Sequence, residues 1–269
     1  MTVPPPPPSR AGSVDLRGGL RHIPGEMMER PGDSHGTTSL PLGGQSYYEE
    51  HGISGDRRAL WWYARVVRGL CPRGGRLLDF GCGTGYLLKR LSAYFEAYGY
   101  DAAPYARTRA RSNAPDAVIL EEWESQPAAS FDIVVSLHTL EHLRRPLPTL
   151  QMLVEKLTAG GVFFFVVPNP GGFGRRLKGR RWFAYRDPTH VSILSRGEWV
   201  TLARKAGLEV VRVRGDGMWD PPYVGFIPTS VQRALFGAPA ALQVFSPLRR
   251  PFLPAALGEC LLLTARKPA

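Results

Sequence analysis

The chain has 269 residues, of which 43% are hydrophobic, so it can bury the core of one α/β domain of ordinary size. Its formal net charge of +11 invites a nucleic-acid partner, but arginine is abundant along the whole chain, so bulk charge alone is weak evidence for one. Cys71, Cys82 and Cys260 form no disulfide or zinc framework, and no apolar run approaches the roughly 20 residues of a membrane helix. These features predict a cytoplasmic protein without a transmembrane segment.

The N-terminal part of the chain differs in composition from the rest. Residues 1–44 are rich in proline, glycine and serine and can bury little apolar surface, so we expect a disordered tail. The proline run at its start also lacks the apolar core of a secretory signal. The folded domain is expected over residues 45–269, with a first helix between Asp56 and Leu70, where apolar residues fall mostly on one face.

Short apolar runs then alternate with helical stretches. The predicted strands are Arg76–Phe80, Ala97–Asp101, Ala117–Leu120, Ile133–Leu137, Gly161–Val167, Leu208–Arg214 and Glu259–Ala265. The predicted helices are Tyr86–Tyr94, Pro104–Ser112, Pro146–Leu157 and Arg196–Ala206. Ser195 and Glu198 have capping-box spacing at the start of the last of these helices, and Gly207 fits its C-terminal cap. The alternation predicts a mostly parallel sheet with helices on both faces.

Two insertions interrupt this alternation: the first insertion (residues 168–194) follows the fifth strand, and the second insertion (residues 215–254) follows the sixth. Loops after the strands of an open α/β sheet face the ligand, so we expect both to form a substrate cap. The first insertion mixes aromatic residues with Arg175, Arg176, Lys178, Arg180, Arg181 and Arg186. This stretch fits a lid over an anionic acceptor, an RNA contact, or a solvated basic helix with its aromatic residues turned to the core. The second insertion is apolar and fits a substrate cap, a homodimer contact or a membrane-surface patch.

A glycine-rich turn lies between the first strand and its helix. Asp79 precedes Gly81, Gly83 and Gly85, and glycine lets the backbone approach a ligand closely, while a helix N-terminus offers free N–H groups. The G-x-G-x-G spacing is one residue shorter than the dinucleotide motif. The acid suits a ligand with a cationic tail better than a pyrophosphate. The structural alternative is a tight strand–helix connection.

Further candidates for ligand contact follow the second and third strands. Asp101 ends the second strand about 20 residues after Gly81, the offset at which a carboxylate accepts ribose hydroxyls. Past the third strand, Glu121, Glu122 and Trp123 are placed to meet an adenine ring, by a hydrogen bond and by stacking. An exposed acid and a packed indole are the alternative.

The glycine motif, Asp101, the stretch FDIVVSLHTLEHL and the turn before the fifth strand occur together and in order. With them the chain resembles the class I S-adenosylmethionine-dependent methyltransferases over about residues 45–267. The resemblance implies a Rossmann-like seven-stranded sheet whose last strand runs antiparallel, and S-adenosyl-L-methionine as cofactor, with S-adenosyl-L-homocysteine as product. It assigns the motif acid and glycines to the methionyl part and Asp101 to the ribose. The cofactor-binding candidates are Asp79, Gly81, Cys82, Gly83, Gly85, Asp101, Ala102, Glu122, Trp123, Leu137, His138 and Tyr47.

Three histidines are candidates for catalysis, because methyl transfer to a hydroxyl gains from a general base. His138 and His142 follow the fourth strand, where the chain resembles the ubiquinone-biosynthesis O-methyltransferases, whose E-x-x-E-H pattern is associated with a divalent metal. Here His138 takes the place of the first acid, so we expect pocket lining and no metal. His190, in the first insertion, is a base, a substrate-orienting residue or a structural histidine bonded to backbone.

These observations predict O-methylation of a small metabolite. A tRNA or rRNA methyltransferase is the alternative that the charge favours, and a catalytically silent module that keeps the fold is a third. The chain lacks the N/D-P-P-Y/F motif of amino methyltransferases after the fourth strand, which counts against one large class that modifies nucleic acids.

Overall fold

The computed structural model describes residues 44–50 and 55–269, so the tail expected over residues 1–44 lies outside the described residues except for Gly44. The helices are α1 (Gln45–Glu50), α2 (Arg58–Leu70), α3 (Tyr86–Leu91), α4 (Pro104–Asn113), α5 (Pro146–Lys156), α6 (Phe173–Lys178), α7 (Arg196–Lys205) and α8 (Thr229–Phe245). The strands are β1 (Arg76–Phe80), β2 (Glu96–Tyr100), β3 (Val118–Ile119), β4 (Phe131–Leu137), β5 (Leu157–Pro168), β6 (Glu209–Gly215) and β7 (Cys260–Arg266). Four 3₁₀ turns lie among the described residues, at Leu140–His142, Gly179–Arg181, Phe183–Tyr185 and Ala255–Leu257.

The seven strands form one sheet in the order β3-β2-β1-β4-β5-β7-β6. Strands β1 to β5 pair in parallel, and β7 runs antiparallel to both β5 and β6. The predicted Rossmann-like sheet with an antiparallel last strand is confirmed. Because the strand order reverses between β1 and β4, a crevice forms at their carboxyl ends, where open α/β sheets bind their ligands.

Helices cover both faces of the sheet, and each face has its own core. Leu77, Ile133 and Phe164 point toward the side of α2, α3 and α4, together with Leu88 of α3. Phe163 points to the opposite side, where α5 and α7 contribute further apolar residues. The run Phe163-Phe164-Phe165 is fully buried, as expected of a strand covered on both faces.

Two element boundaries differ from the sequence prediction by three residues or more. β5 begins at Leu157, four residues early, because Leu157 pairs with Phe131 before a bulge that restores register at Val162. α3 ends at Leu91, before the predicted Tyr94, where the Ser92 hydroxyl donates to the carbonyl of Leu88. The capping box of α7 is present as predicted.

The two insertions have more regular structure than expected. The first forms the short helix α6 and two 3₁₀ turns, and the second contains the 17-residue helix α8, which the sequence analysis did not predict. Over residues 44–50 and 55–269, every helix is too short or too polar to cross a bilayer.

Candidate functional site

A cavity of about 1020 Å³ opens at the carboxyl ends of the central strands. Small-molecule sites usually occupy about 300–1,000 Å³, so this volume accommodates a cofactor beside an acceptor. It brings together most of the predicted site residues: Tyr47, Asp79, Gly81, Cys82, Gly83, Asp101, Ala102, Leu137, His138, His142 and His190. Residues of both insertions complete the wall, among them Phe183, Arg186, Trp219 and Phe245.

The three glycines of the turn have positive φ, but they differ in what an added side chain would contact. A Cβ on Gly81 would lie 2.0 Å from Oγ1 of Thr139, which follows β4, so the turn packs tightly against that strand. A Cβ on Gly85 would lie 2.8 Å from Cα of Ala110, and Gly85 is not among the cavity-lining residues. Gly83 borders the cavity, and the nearest atom to its added Cβ is a Tyr48 ring carbon 3.8 Å away. Gly85 therefore brings α3 and α4 together, and Gly81 and Gly83 border the cofactor space.

Asp79 and Asp101 form a buried acidic pair at the base of the cavity. Burial, together with the nearby charge of Asp101, raises the pKa of Asp79 to about 8. Burial also raises the pKa of Asp101, although hydrogen bonds from Ala103 and Gly83 oppose the shift. A buried acid pair of this kind favours a cationic group beside it, as the methionyl tail of the expected cofactor would supply.

Asp101 is held by a hydrogen-bond network that spans the site. Its Oδ2 accepts from the N–H of Gly83 at 2.9 Å, and its Oδ1 accepts from the N–H of Ala103 at 2.9 Å and from the hydroxyl of Tyr48 at 3.1 Å. Tyr48 also packs edge-on against Tyr47, with the ring centroids 5.6 Å apart. The network fixes the orientation of Asp101 for the ribose role that the resemblance implies.

All three residues expected to meet the adenine lie elsewhere. Trp123 is 3% exposed and packs in the core, with its ring 5.1 Å from that of Phe80, so it is not placed to stack on a ligand in the cavity. Glu122 is exposed and is not among the cavity-lining residues, and Glu121 pairs with Arg107 and Arg111 at the surface. Trp123 is therefore a packed core residue and Glu122 an exposed acid, which is the structural alternative to adenine contact.

His142 and His190 are fixed by backbone carbonyls on one side of each ring. Nδ1 of His142 lies 3.2 Å from the carbonyl oxygen of Thr189, and Nδ1 of His190 lies 2.9 Å from that of Ala184. A carbonyl only accepts, so both Nδ1 atoms carry hydrogen and both Nε2 atoms are left with a lone pair. Burial, reinforced by His190, lowers the pKa of His142, which keeps this ring neutral at neutral pH.

Glu141 lies beneath these rings and is fully buried. Neither of its carboxylate oxygens accepts a hydrogen bond within the described part of the chain, and the nearest imidazole nitrogen, Nδ1 of His138, lies 3.4 Å from Oε1. Burial raises the pKa of Glu141, but the contact with His138 and the charges of the other two histidines outweigh it, and the net pKa is lowered. His138 itself has a φ of 55°, a left-handed conformation that is uncommon outside glycine and clusters at functional sites.

The same residues fit a divalent cation, which the sequence analysis set aside. Glu141, His142 and His190 each offer one ligand atom, and these atoms lie within 4.8 Å of one another. One carboxylate and two imidazoles with their Nδ1–H groups bonded to carbonyls are a donor set that holds transition metals. A bound cation would polarise an acceptor oxygen and favour its deprotonated form.

Part of the first insertion joins the site and part of it faces solvent. Asp187 accepts from the N–H of Thr189 at 2.8 Å and from the hydroxyl of Tyr47 at 3.2 Å, which ties α1 to this segment. Trp182 is buried and donates to Glu259 at 2.7 Å, whereas Arg180 and Arg181 are exposed. Of the three alternatives for this basic stretch, the one with solvent-exposed basic residues and a buried aromatic residue describes most of it. Lys178 is the exception: it is buried and paired with Asp220.

Asp216 was not among the site residues predicted from the sequence. Asp216 lines the cavity, and burial raises its pKa to about 7 although the N–H of Cys260 donates to it. A lone Asp after a strand in an irregular segment gives no sequence signal of this kind.

Known proteins are similar to this chain in sequence. A family model for a methyltransferase domain matches residues 55–213, more than half of the chain. A protein of Mycolicibacterium smegmatis described as a probable S-adenosylmethionine-dependent methyltransferase is 31% identical over 218 residues, which covers 75% of this chain and 81% of that relative. A ubiquinone biosynthesis O-methyltransferase of Cereibacter sphaeroides is 32% identical over 158 residues, covering 53% of this chain. The match spans 63% of that enzyme, less than two thirds of its length.

Solved structures share the fold. A methyltransferase of Haloferax volcanii, in complex with the Trm112 methyltransferase activator, has a TM-score of 0.59 at 20% identity and covers 82% of this chain and 94% of its own. A methyltransferase of Archaeoglobus fulgidus has a TM-score of 0.55 at 18% identity, over 83% of this chain and 100% of its own. Since the family match and the Mycolicibacterium relative extend the likeness to sequence, the chain belongs to the S-adenosylmethionine-dependent methyltransferases and uses S-adenosyl-L-methionine as its cofactor.

Proposed function

We propose that this methyltransferase transfers the methyl group to a hydroxyl oxygen of a small, uncharged metabolite in the cytoplasm, with His190 as general base. The observation that carries the proposal is the continuous cavity, which runs from Asp79 and the glycine turn to His142 and His190. A cofactor at the glycine end leaves room for an acceptor at the histidine end. Holding an oxygen in line behind the sulfonium methyl group is most of what this reaction requires.

The surroundings of His190 suit a base. In the cation-free site, with Nδ1–H bonded to Ala184, Nε2 takes the hydroxyl proton as the new carbon–oxygen bond forms and the carbon–sulfur bond breaks; a cation bound at His190 would exclude this role. Nε2 lies 3.6 Å from Oδ2 of Asp187, whose charge stabilises the imidazolium that results. We assign His142 to the neutral wall of the acceptor space and His138 to the positioning of Glu141.

The charge of the lining supports an uncharged acceptor in place of the anionic one considered from the sequence. Two arginines, Arg57 and Arg186, line the cavity, against six acids: Asp79, Asp101, Asp187, Asp216, Asp220 and Glu259. Such a lining offers few cationic groups to a phosphate or a carboxylate, so it also counts against the RNA alternative. Because Cys71, Cys82 and Cys260 are all free thiols, a reducing compartment such as the cytoplasm is supported.

The preference for oxygen has a second support. The Cereibacter relative is named an O-methyltransferase of ubiquinone biosynthesis, and the stretch that includes Glu141 and His142 resembles that group. A phenolic hydroxyl is the acceptor we therefore favour.

The proposal is tested by incubating the full chain and labelled S-adenosyl-L-methionine with catechols, simple phenols, aromatic carboxylates, primary amines and total tRNA. We expect label in phenolic ethers, identified by mass spectrometry as products one methylene unit heavier. Label in tRNA or in amines alone would overturn the proposal.

The base assignment is tested with His190→Gln and His138→Gln. Loss of a general base costs about 10²–10⁴ in rate, so we expect His190→Gln to lose turnover by this factor with unchanged affinity for S-adenosyl-L-homocysteine. His138→Gln should lose less, because His138 acts through Glu141. Equal turnover in wild type and His190→Gln would refute the assignment.

A further inference from the structure

Helix α8, in the second insertion, differs from an ordinary surface helix in which residues it buries: glutamines face the domain and leucines face outward. Its glutamines point inward, with Gln232 fully buried and Gln243 2% exposed. Its large apolar residues point outward, with Leu235 62% exposed and Leu242 68% exposed. A surface helix normally buries its apolar stripe, so this arrangement needs a separate explanation.

Two buried glutamines help to hold α8 on the domain, beside the fully buried Ala240 and the ring of Phe236, which packs on that of Tyr223. The side chain of Gln232 accepts from the N–H groups of Tyr223 and Val224 and donates to the carbonyls of Val224 and Ile227. Gln243 accepts from the N–H groups of Phe252 and Leu253 and donates to the carbonyls of Gly215 and Asp216. These polar contacts add to the apolar packing of the inward face, and the leucines of the outward face take no part in holding the helix.

The outward face forms a regular line, here called the α8 stripe: Val231, Leu235, Ala238, Leu242 and Phe245. The steps of four and three residues put these side chains on one side of the helix over about 21 Å. Phe226, 87% exposed, and Leu248, 63% exposed, lie in the chain just before and just after α8. Contiguous exposed apolar residues of this size mark an interaction site.

The charged residues of the segment that carries the α8 stripe are all positive. Between Pro221 and Gly258 the chain has no acidic residue, and its charged side chains there are Arg233, Arg249 and Arg250, all exposed. An apolar face with basic residues and no acids is the pattern of helices that lie in the headgroup region of an anionic bilayer.

We propose that the α8 stripe docks this enzyme on an anionic lipid surface, with α8 lying in the plane of the interface. A second copy of the chain fits the face less well, because a twofold contact would bring the three arginines toward their own copies. The proposal goes beyond the acceptor proposed above and does not depend on it.

Docking in this orientation would also place the cavity near the lipid. Ala241, Val244 and Phe245 of α8 line the cavity wall, and the same helix carries Leu235 and Leu242 outside. Trp219, 46% exposed, lies on the cavity wall as well. An acceptor dissolved in the bilayer would then reach the cavity past α8 without crossing bulk water.

Cosedimentation of the full chain with phosphatidylglycerol–phosphatidylcholine vesicles, and with phosphatidylcholine vesicles alone, tests the proposal without any turnover. The wild type should bind the anionic vesicles only. Leu235→Glu with Leu242→Glu should weaken binding at least about tenfold, since two leucines lose their transfer into the apolar layer. The control, Val118→Glu with Val211→Glu, makes the same charge change on the two edge strands, at residues 51% and 56% exposed, and should bind like wild type. Unchanged affinity for S-adenosyl-L-homocysteine shows that each variant is folded.

Arginine variants separate the electrostatic part. Arg233→Gln with Arg250→Gln should weaken binding about fivefold per arginine and reduce its dependence on salt. Three results would overturn the proposal: no binding to either vesicle, equal binding to both, or wild-type binding by the double leucine variant. A dimer in analytical ultracentrifugation that dissociates in the double leucine variant would also overturn it, in favour of a second copy. Failure of methyl transfer would leave all these outcomes unaffected, so the two proposals fail separately.

Discussion

Asp79 has the features of a carboxyl group that changes protonation when the cofactor binds. It is 2% exposed, and its burial and the neighbouring Asp101 raise its pKa to about 8. At neutral pH the group is therefore mostly protonated in the free protein. The ammonium group that the family resemblance places beside it would favour the charged form, because an opposite charge lowers the pKa of an acid.

We therefore expect proton release on cofactor binding at pH 7. Calorimetric titration with S-adenosyl-L-homocysteine in phosphate and in Tris, which have different ionisation enthalpies, gives the number of protons released. The wild type should release close to one, and Asp79→Asn should release fewer and bind more weakly. Proton release that is the same in Asp79→Asn would show that another group carries the change.

The residues that the sequence located correctly are those whose role is encoded locally. Asp79 and Gly81 stand in one short motif, and Asp101 follows at a fixed offset, so spacing alone points to them. The contact of Tyr48 with Asp101 joins residues 53 positions apart, and that of His142 with Thr189 joins residues 47 apart. Such contacts depend on the packing of separate elements, so spacing in a single sequence cannot reveal them.

At the scale of elements, the strands were predictable because they are continuous apolar runs. β1 was predicted residue for residue, and most other strands differ by one or two positions at each end. α8 was missed because Gly237 and Pro239, two poor helix formers, stand near its middle, so the segment was interpreted as an irregular insertion. The sequence thus predicts the elements that build the core, but not one that is anchored by two glutamines.

The turn between β1 and α3 gives a prediction about packing. Gly81→Ala should destabilise the protein strongly, because the new Cβ combines a φ of +83° with a position 2.0 Å from Oγ1 of Thr139. Gly160→Ala is the matched control, with a φ of +72° and nothing within 4 Å of the added Cβ. The control should lose only the left-handed penalty of about 1–2 kcal/mol, and Gly81→Ala clearly more. Equal losses in denaturant unfolding would show that the turn relaxes away from Thr139.

For the whole molecule, the distribution of charge matters more than its sum. The net charge of +11 suggests an affinity for anions, yet the cavity is lined by more acids than bases. Several of these acids are buried, so their ionisation is linked to folding. The surface and the interior therefore respond to pH in different ways, and the interior sets the response of stability.

The free energy of unfolding should be greatest near pH 5 and decline toward pH 8. Asp79, with a pKa of about 8, and Asp216, with a pKa of about 7, bind protons in the folded state that the unfolded chain has already released above about pH 4. The folded state then holds more protons, so stability falls as pH rises through this window. Glu141 and Asp187 have lowered pKa values, so their contribution to stability is lost as pH falls below about 4. The lowered pKa of His142 opposes the decline below about pH 6.5, but this is one group against two acids.

Scanning calorimetry of the cofactor-free protein from pH 5 to 8 at constant ionic strength measures this decline. Asp216→Asn should flatten it between pH 5 and 7, because the amide oxygen can still accept from the N–H of Cys260 while the titrating group is gone. Asp116→Asn removes the same charge at an exposed site and should leave the slope unchanged. A melting temperature that stays constant from pH 5 to 8 would mean that Asp79 and Asp216 ionise in the folded state as readily as in the unfolded chain, and one that rises would contradict the sign.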